Sequence, residues 1–281
     1  MLRVAVPNKG QLAEPARSML TEAGYLRSAS TRDLVVHDPE NDVEFFFLRP
    51  RDIAIYVGEG TLDLGITGRD MLLDSAAQAD EILPLGFAPS TFRLAAPVGT
   101  AKSPADLDGR TIATSYAGVL EAWLAREGIS ARVVKLDGAV ENAVRLGVAD
   151  AVADVVETGT TLKQAGLVVV GEPLLENQAV LIRRTGVAPD TTVDTFVRRL
   201  QGVFVARSYV LVDYDIRAEQ VEVACAITPG IESPTVSPLH DQGWVAVRAM
   251  VPKREVHRIM DELYDLGARG ILVTDILACR L

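Results

Sequence analysis

The 281-residue sequence predicts an α/β protein built as a two-lobed body followed by a smaller α+β domain. Two rhythms carry that reading. Over the first two thirds, short apolar runs (Leu2 to Val6, Val43 to Leu48, Leu62 to Ile66, Thr111 to Ala113, Val133 to Leu136, Ala151 to Val156) alternate with amphipathic stretches such as Gln11 to Ala23 and Val140 to Leu146. That alternation is the βαβ pattern of largely parallel sheets. Over the remainder the order becomes strand (Tyr209 to Tyr214), helix (Ala218 to Ala226), two strands (Ser233 to Pro238, Trp244 to Val251), helix (Arg254 to Leu266) and strand (Gly270 to Leu277). This is the ferredoxin-like order.

Pro97, Gly99 and Pro104 make the stretch around them loop-like and mark a crossing between lobes. The chain then comes back. Leu167 to Val170, the turn Gly171-Glu172-Pro173 and Ala179 to Ile182 read as strands leading to the first lobe, followed by a long helix from about Thr191 to Ala206. The expected organisation is a discontinuous first lobe of residues 1–95 and 179–208, a second lobe of residues 96–178, and a C-terminal domain of residues 209–281. A chain that leaves a lobe and re-enters it makes a cleft with a two-strand hinge, and ligands of α/β proteins sit in such crevices at the carboxyl ends of strands.

Composition narrows the function. A formal net charge of −10 argues against a nucleic-acid surface, which rests on clustered Lys and Arg. A small anionic ligand therefore needs a locally basic pocket, for which Lys9, Arg49, Arg51 and Arg69, all close to glycine-containing turns, are candidates. Each also has an ordinary reading as a solvated charge. Two distant cysteines, Cys225 and Cys279, and three histidines give neither a disulfide framework nor zinc-ligand spacing, which fits a reducing cytoplasm. The segment Met1 to Pro7 has neither a signal-peptide core nor a membrane span, so the expectation is a soluble cytoplasmic protein with no membrane partner.

One segment suits a sugar phosphate. Ala151 to Leu162 runs from an apolar strand through Asp154 and Glu157 into Thr158-Gly159-Thr160-Thr161, a hydroxyl-rich turn that opens a helix. Free N–H groups, hydroxyls and the positive end of the helix dipole favour a phosphate, Gly159 allows close backbone approach, and the two carboxylates can accept hydrogen bonds from ribose hydroxyls. The same pattern also describes a strand, a capping threonine and a helix with solvated acids, and the spacing alone does not choose between them.

Five motifs in order resolve the choice by resemblance: Pro7-Asn8-Lys9-Gly10-Gln11-Leu12, Leu48-Arg49-Pro50-Arg51-Asp52-Ile53, Asp63 to Asp70, Asp154 to Leu162, and Thr228-Pro229-Gly230-Ile231-Glu232-Ser233-Pro234-Thr235. Together they resemble the long form of the ATP phosphoribosyltransferase family, the first enzyme of histidine biosynthesis. The resemblance implies two catalytic lobes like those of periplasmic binding proteins and a C-terminal domain that senses histidine. It implies transfer of the phosphoribosyl group of PRPP to N1 of the adenine of ATP, release of pyrophosphate, use of Mg²⁺, histidine and AMP as inhibitors, and homodimers assembling into homohexamers. By the same resemblance Asp154, Glu157, Thr158, Gly159, Thr160 and Thr161 hold the ribose and phosphate of PRPP. Lys9, Gly10, Arg49, Asp70 and Tyr116 face the nucleotide, and Asp154, Glu157, Lys9 and Arg49 take part in catalysis. Asp215, Ile231, Ser233, Thr235 and Gly270 surround the bound histidine. The family often has arginine where this chain has Gln11, and no protein ligand of the metal is named. Without the resemblance, Tyr116 reads as a half-buried aromatic at a helix start, and the effector residues as turn or strand-entry residues. A two-lobed binding or sensor protein without turnover, and a phosphoribosyltransferase acting on another base, are the competing functions.

Overall fold

The computed structural model describes residues 1–26, 33–188 and 190–280. The chain divides into two compact units, Met1–Ser18 with Leu26–Asp190, and Met19–Tyr25 with Thr191–Leu281.

The first unit contains two sheets. It begins with β1 (Leu2–Pro7), α1 (Ala13–Glu22, which from Met19 onward groups with the second unit), β2 (Val35–Asp38), β3 (Val43–Leu48), α2 (Pro50–Gly58), β4 (Leu64–Gly68), α3 (Arg69–Ser75) and β5 (Ala79–Pro84). β1 pairs in parallel with β3 and β4, and every residue of β4 is buried. Pro50 opens α2 at the position where a missing N–H costs nothing, and Arg49 before it is extended, as a residue preceding proline prefers. Gly65 lets α2 press onto the sheet: a Cβ there would stand 2.5 Å from Ile53 Cγ2.

The second sheet is built from β6 (Ser90–Pro97), β7 (Thr111–Thr114), α4 (Ala117–Glu127), β8 (Arg132–Lys135), α5 (Asn142–Arg145), β9 (Ala151–Val156), α6 (Thr160–Gln164) and β10 (Leu167–Asn177), its strands lying in the order β10-β6-β9-β7-β8. Phe92 and Leu94 from β6, Ile112 from β7 and Leu120 and Leu124 from α4 fill its core. The crossing into this sheet lies at residues 85–89, earlier than the Pro97 to Pro104 stretch that the sequence suggests. Residues 90–97 are themselves a strand, paired with both β10 and β9, so Pro97 ends a strand of the second lobe and does not link the lobes.

The return runs through Gln178 into β11 (Ala179–Arg184), which enters the first sheet antiparallel between β4 and β5 and gives it the order β2-β3-β1-β4-β11-β5. The two crossings are bonded to each other: the Ala179 N–H donates to the Phe87 carbonyl at 3.0 Å, and the Leu85 N–H to the Ala179 carbonyl at 2.9 Å.

The second unit holds α7 (Thr191–Ser208), β12 (Tyr209–Arg217), α8 (Val221–Ile227), β13 (Thr235–Pro238), β14 (Trp244–Pro252), α9 (Val256–Leu266) and β15 (Arg269–Asp275). α7 groups here and not with the first lobe, where the sequence reading puts it, because its apolar side meets Tyr25: the rings of Tyr25 and Phe196 stack with centroids 5.0 Å apart. The four strands are antiparallel in the order β13-β14-β12-β15, which is the ferredoxin-like arrangement. Alternation along β12 sends Val210, Val212, Tyr214 and Ile216 into the core with Ala224 of α8 and Ile259 and Leu263 of α9. The other face of β12 carries Leu211, Asp213 and Asp215 without burying them.

Candidate active site

The parallel strands of both lobes end at one place. β1 runs into Asn8, Lys9 and Gly10, β4 into α3, β7 into Tyr116, and β9 into the turn before α6. These ends and the crossings enclose a cavity of about 120 Å³ whose lining includes Lys9, Gly10, Gln11, Gly68, Asp70, Met71, Ala88, Ser90, Tyr116, Val155 and Asn177.

Asp70, 2 % exposed, is its most constrained carboxylate. Its backbone N–H donates to Asn177 Oδ1 at 3.0 Å, and its Oδ1 accepts the Met71 N–H at 2.8 Å. Asn177 Nδ2 donates in turn to Ser90 Oγ at 3.0 Å, so this corner of the first lobe is tied to both ends of the second-lobe sheet strands that flank the crossings. Burial pushes the Asp70 carboxyl above the usual carboxylate range, opposed by the bonds from Met71 and the Tyr116 hydroxyl and by the charge of Arg51. Gly68 is required here because a Cβ would collide with Asp70 Oδ1.

Tyr116 is buried, edge-on to Phe92 with ring centroids 5.8 Å apart. Burial and then the neighbouring Asp70 charge push its phenol well above the ordinary tyrosine range, so it acts as a hydrogen-bond donor at any neutral pH. Arg51 lies over the same ring, its guanidinium carbon 4.4 Å from the centroid.

Asp154 is half-buried near the end of β9, and its Oδ1 accepts the Val155 N–H at 2.8 Å. Burial raises its pKa, the Val155 bond opposes this, the charges of Glu141 and Asp70 add to it, and Arg51 lowers it. The turn that follows has Gly159 in the left-handed region at φ 73°, with Thr158 Oγ1 and Thr160 Oγ1 3.0 Å apart. Glu157, Thr158, Thr160 and Thr161 are exposed.

The structure thus gathers Lys9, Gly10, Asp70 and Tyr116 around one cavity, with Asp154 within electrostatic range of Asp70 and Tyr116. It puts Glu157 to Thr161 in a separate exposed turn and leaves Arg49 exposed just before α2. Arg69 is not a pocket cation. Its Nε and Nη2 donate to Glu81 at 2.8 Å each and its Nη1 to the Glu176 carbonyl at 2.9 Å, so it braces β10 beside the return crossing. Asn177 and Asp74 belong to the neighbourhood and were missed by sequence reasoning. For Asp74 a signal existed in its spacing four residues after Asp70, on the same helix side.

In the C-terminal unit, Asp215 and Gly270 adjoin: Gly270 has φ 58°, and a Cβ on it would lie 3.7 Å from Asp215 Oδ2. They meet where the β12–β15 register slips between Asp213 and Asp215. Thr235 starts β13 opposite Arg248, which is itself opposite Asp213, so Thr235 and Asp215 share the open face of the sheet. Ile231 and Ser233 lie in the turn before β13. Among the described residues no three His, Cys, Asp or Glu side chains are grouped to hold a metal ion, and no helix is long and apolar enough to cross a membrane.

A body of two α/β sheets joined by two crossings, with its cavity at the strand ends and a separate α+β domain following it in sequence, defines a two-lobed cleft protein of modular build. Two family models cover the chain: ATP phosphoribosyltransferase matches residues 49–202, which takes in most of α7, and the HisG C-terminal domain matches residues 206–278. ATP phosphoribosyltransferases of Pseudarthrobacter chlorophenolicus and Streptomyces coelicolor are 66 % and 63 % identical, each covering 100 % of this chain and of the relative. The ATP phosphoribosyl transferase (HisG:HisZ) complex from Thermotoga maritima has a chain that superposes with a TM-score of 0.63 at 26 % identity, over 72 % of this chain and 98 % of that one. The chain belongs to the ATP phosphoribosyltransferase family, in its long form with the C-terminal domain. It is a pentosyl-transferring enzyme of the first step of histidine biosynthesis.

Proposed function

We propose that the protein transfers the phosphoribosyl group of PRPP to N1 of the adenine of ATP, releasing pyrophosphate, and that histidine bound to the C-terminal domain inhibits it. The observation that carries the catalytic half is the convergence of Lys9, Gly10, Asp70 and Tyr116 on one cavity, one strand end away from Asp154 and the Gly159 turn. In this reading the turn and Asp154 take the ribose and 5-phosphate, Tyr116 and Asp70 take the adenine, and Lys9 and Arg49 face the phosphate chains.

The chemistry asks little of the protein as base. Adenine N1 already carries a lone pair, and attack on C1 of PRPP forms the C1–N1 bond as the C1–O bond to pyrophosphate breaks. Rate comes from positioning and from charge: a carboxylate beside the ring favours the cationic sugar, and cations favour the departing pyrophosphate. Asp154, whose Oδ1 accepts the Val155 N–H, suits the first task. The described residues lack a closed set of metal ligands, and Asp70 spends its oxygens on Met71 and Tyr116. That donor set fits Mg²⁺ carried in on substrate oxygens, where it would offset phosphate charge, and not a cage made by the protein.

The inhibitory half rests on Asp215 beside Gly270, which offers a carboxylate to an ammonium at a widened point of the sheet. Thr235 and Ser233 would supply hydroxyls to the same ligand. AMP is proposed as a second inhibitor in the nucleotide site, a homodimer assembling into a homohexamer as the working form, and the cytoplasm as its location. Pyrophosphate release from ATP plus PRPP tests the reaction. Release with ATP and with no other nucleotide supports it; binding of both substrates without release would make the protein a sensor, and release with another base a different transferase.

A further inference from the structure

The lobes are joined at a third place, away from the two crossings, where α3 of the first lobe meets the start of α4 in the second. Arg51, in the first turn of α2, stacks on the Tyr116 ring and donates from Nη1 to the Ser115 carbonyl at 3.0 Å. The same nitrogen lies 3.5 Å from Asp74 Oδ2 of α3. Asp74 in turn accepts the Gly118 N–H on Oδ1 at 2.8 Å, with its side chain only 9 % exposed. Gly118 is the point of closest approach, since a Cβ there would stand 2.9 Å from the Asp74 carbonyl oxygen. One guanidinium and one carboxylate of the first lobe therefore grip three consecutive features of the second: a carbonyl, an aromatic ring and a helix-start N–H.

Tyr116 lines the cavity, whereas Arg51 is not among its lining residues. Arg51 thus touches the site through what it holds, and otherwise acts on it through its charge, felt by Asp70 and Asp154. We infer that Arg51 is a positioning residue for the nucleotide: it fastens the start of α4 to the first lobe and so sets the Tyr116 ring against which the adenine lies. This rests on the reading above that ATP occupies the Tyr116 side of the cleft. The geometry needs arginine in particular. A planar guanidinium stacks on a ring and donates sideways at once, while a lysine ammonium keeps the pairing with Asp74 and loses the stacked plane.

The test is initial-rate kinetics of pyrophosphate release for Arg51→Lys, Arg51→Met and Gly118→Ala, with calorimetric titration of PRPP into each. Arg51→Lys should raise the KM for ATP roughly 3- to 30-fold, the span of a lost cation–π contact, and leave the KM and Kd for PRPP within about twofold. Arg51→Met should move the same quantity further in the same direction. Gly118→Ala, with Arg51 intact, should also raise the KM for ATP, because its methyl holds the Asp74 turn and α4 apart. If Arg51→Met does not fold, the lysine variant decides. Unchanged kinetics in Arg51→Lys, or equal rises in both KM values together with a lowered Tm, would overturn the inference and show Arg51 to be a structural tie. A parent protein that binds ATP and PRPP and releases no pyrophosphate would instead sink the functional reading, and with it the placing of ATP at Tyr116.

Discussion

Asp154→Asn separates catalysis from stability, because the two should move in opposite directions. The substitution keeps shape and leaves an oxygen to accept the Val155 N–H, now 2.8 Å from Oδ1. What it removes is charge. If that charge binds ribose hydroxyls and favours the cationic sugar, the loss is that of a hydrogen bond to a charged group, about 1.5 to 3 kcal/mol. At about 1.4 kcal/mol per tenfold, kcat/KM should fall roughly 10- to 150-fold. Stability follows from the raised pKa. Burial favours the protonated carboxyl in the folded state, so the native protein holds its proton to higher pH than the unfolded chain, whose value is near 3.8. Below that pH both states are protonated and nothing is lost. As pH rises through the folded value the wild type begins to carry a desolvated charge near Glu141 and Asp70, and its stability drops relative to the asparagine variant. Thermal melts of both proteins between about pH 3 and about pH 7.5, the range in which carboxylate shifts act, should show Tm curves that coincide at the acid end, with the variant equal or higher at the neutral end. Unaltered kcat/KM would remove Asp154 from the mechanism. A variant less stable at neutral pH would refute the account of its burial.

Three other outcomes are expected. Gly159→Val should cut PRPP affinity at least tenfold in titration while the protein stays folded, because valine resists φ 73° by about 1 to 2 kcal/mol although only Val156 Cγ1, at 3.7 Å, stands near its Cβ; an unchanged Kd would show that the turn does not touch phosphate. Asp215→Ala should leave activity without histidine near normal and raise the histidine needed for half inhibition about 10- to 100-fold, and equal inhibition of variant and parent would place the effector elsewhere. Arg69→Met should lower stability by about 1 to 2 kcal/mol in urea unfolding, the worth of a part-buried bidentate pair, with PRPP affinity within about twofold, and a large selective loss of PRPP affinity would return Arg69 to the phosphate site.

Much of the body is legible in the residues. β1, β3 and β9 follow from short apolar runs, each interrupted by a single charged residue (Arg3, Glu44, Asp154), and the ferredoxin-like domain from the order of its patterns, because α9 buries Val256, Ile259 and Leu263 at helical spacing while β12 alternates. α2 is harder to see. Ile53, Ile55, Tyr56 and Val57 favour strands locally, and only packing of Ile53 and Val57 on Gly65 makes the segment a helix partner. The lobe crossing was misplaced because proline and glycine mark turns without saying which sheet a strand joins; the pairing of β6 with β10 and β9 is a contact between residues far apart in sequence. The same limit applies to the site. Tyr116 and Asp70 are 46 positions apart by number, and that the phenol points at the carboxylate, or that Arg51 covers the ring, is a property of two lobes meeting.

The position of β11 has a consequence for how the chain is made. During synthesis β4, ending at Gly68, and β5, ending at Pro84, leave the ribosome well before Ala179–Arg184, the strand that sits between them and bonds to both. Until Ala179 to Arg184 emerge, β5 has no neighbour in its sheet and one edge of β4, a strand buried along its whole length in the finished fold, is open. The second sheet, by contrast, closes from one contiguous stretch of polypeptide. Vectorial folding must therefore finish the inserted lobe first and leave the first-born lobe incomplete, so nascent chains halted before residue 179 should be the species most dependent on chaperones and most prone to edge-to-edge association.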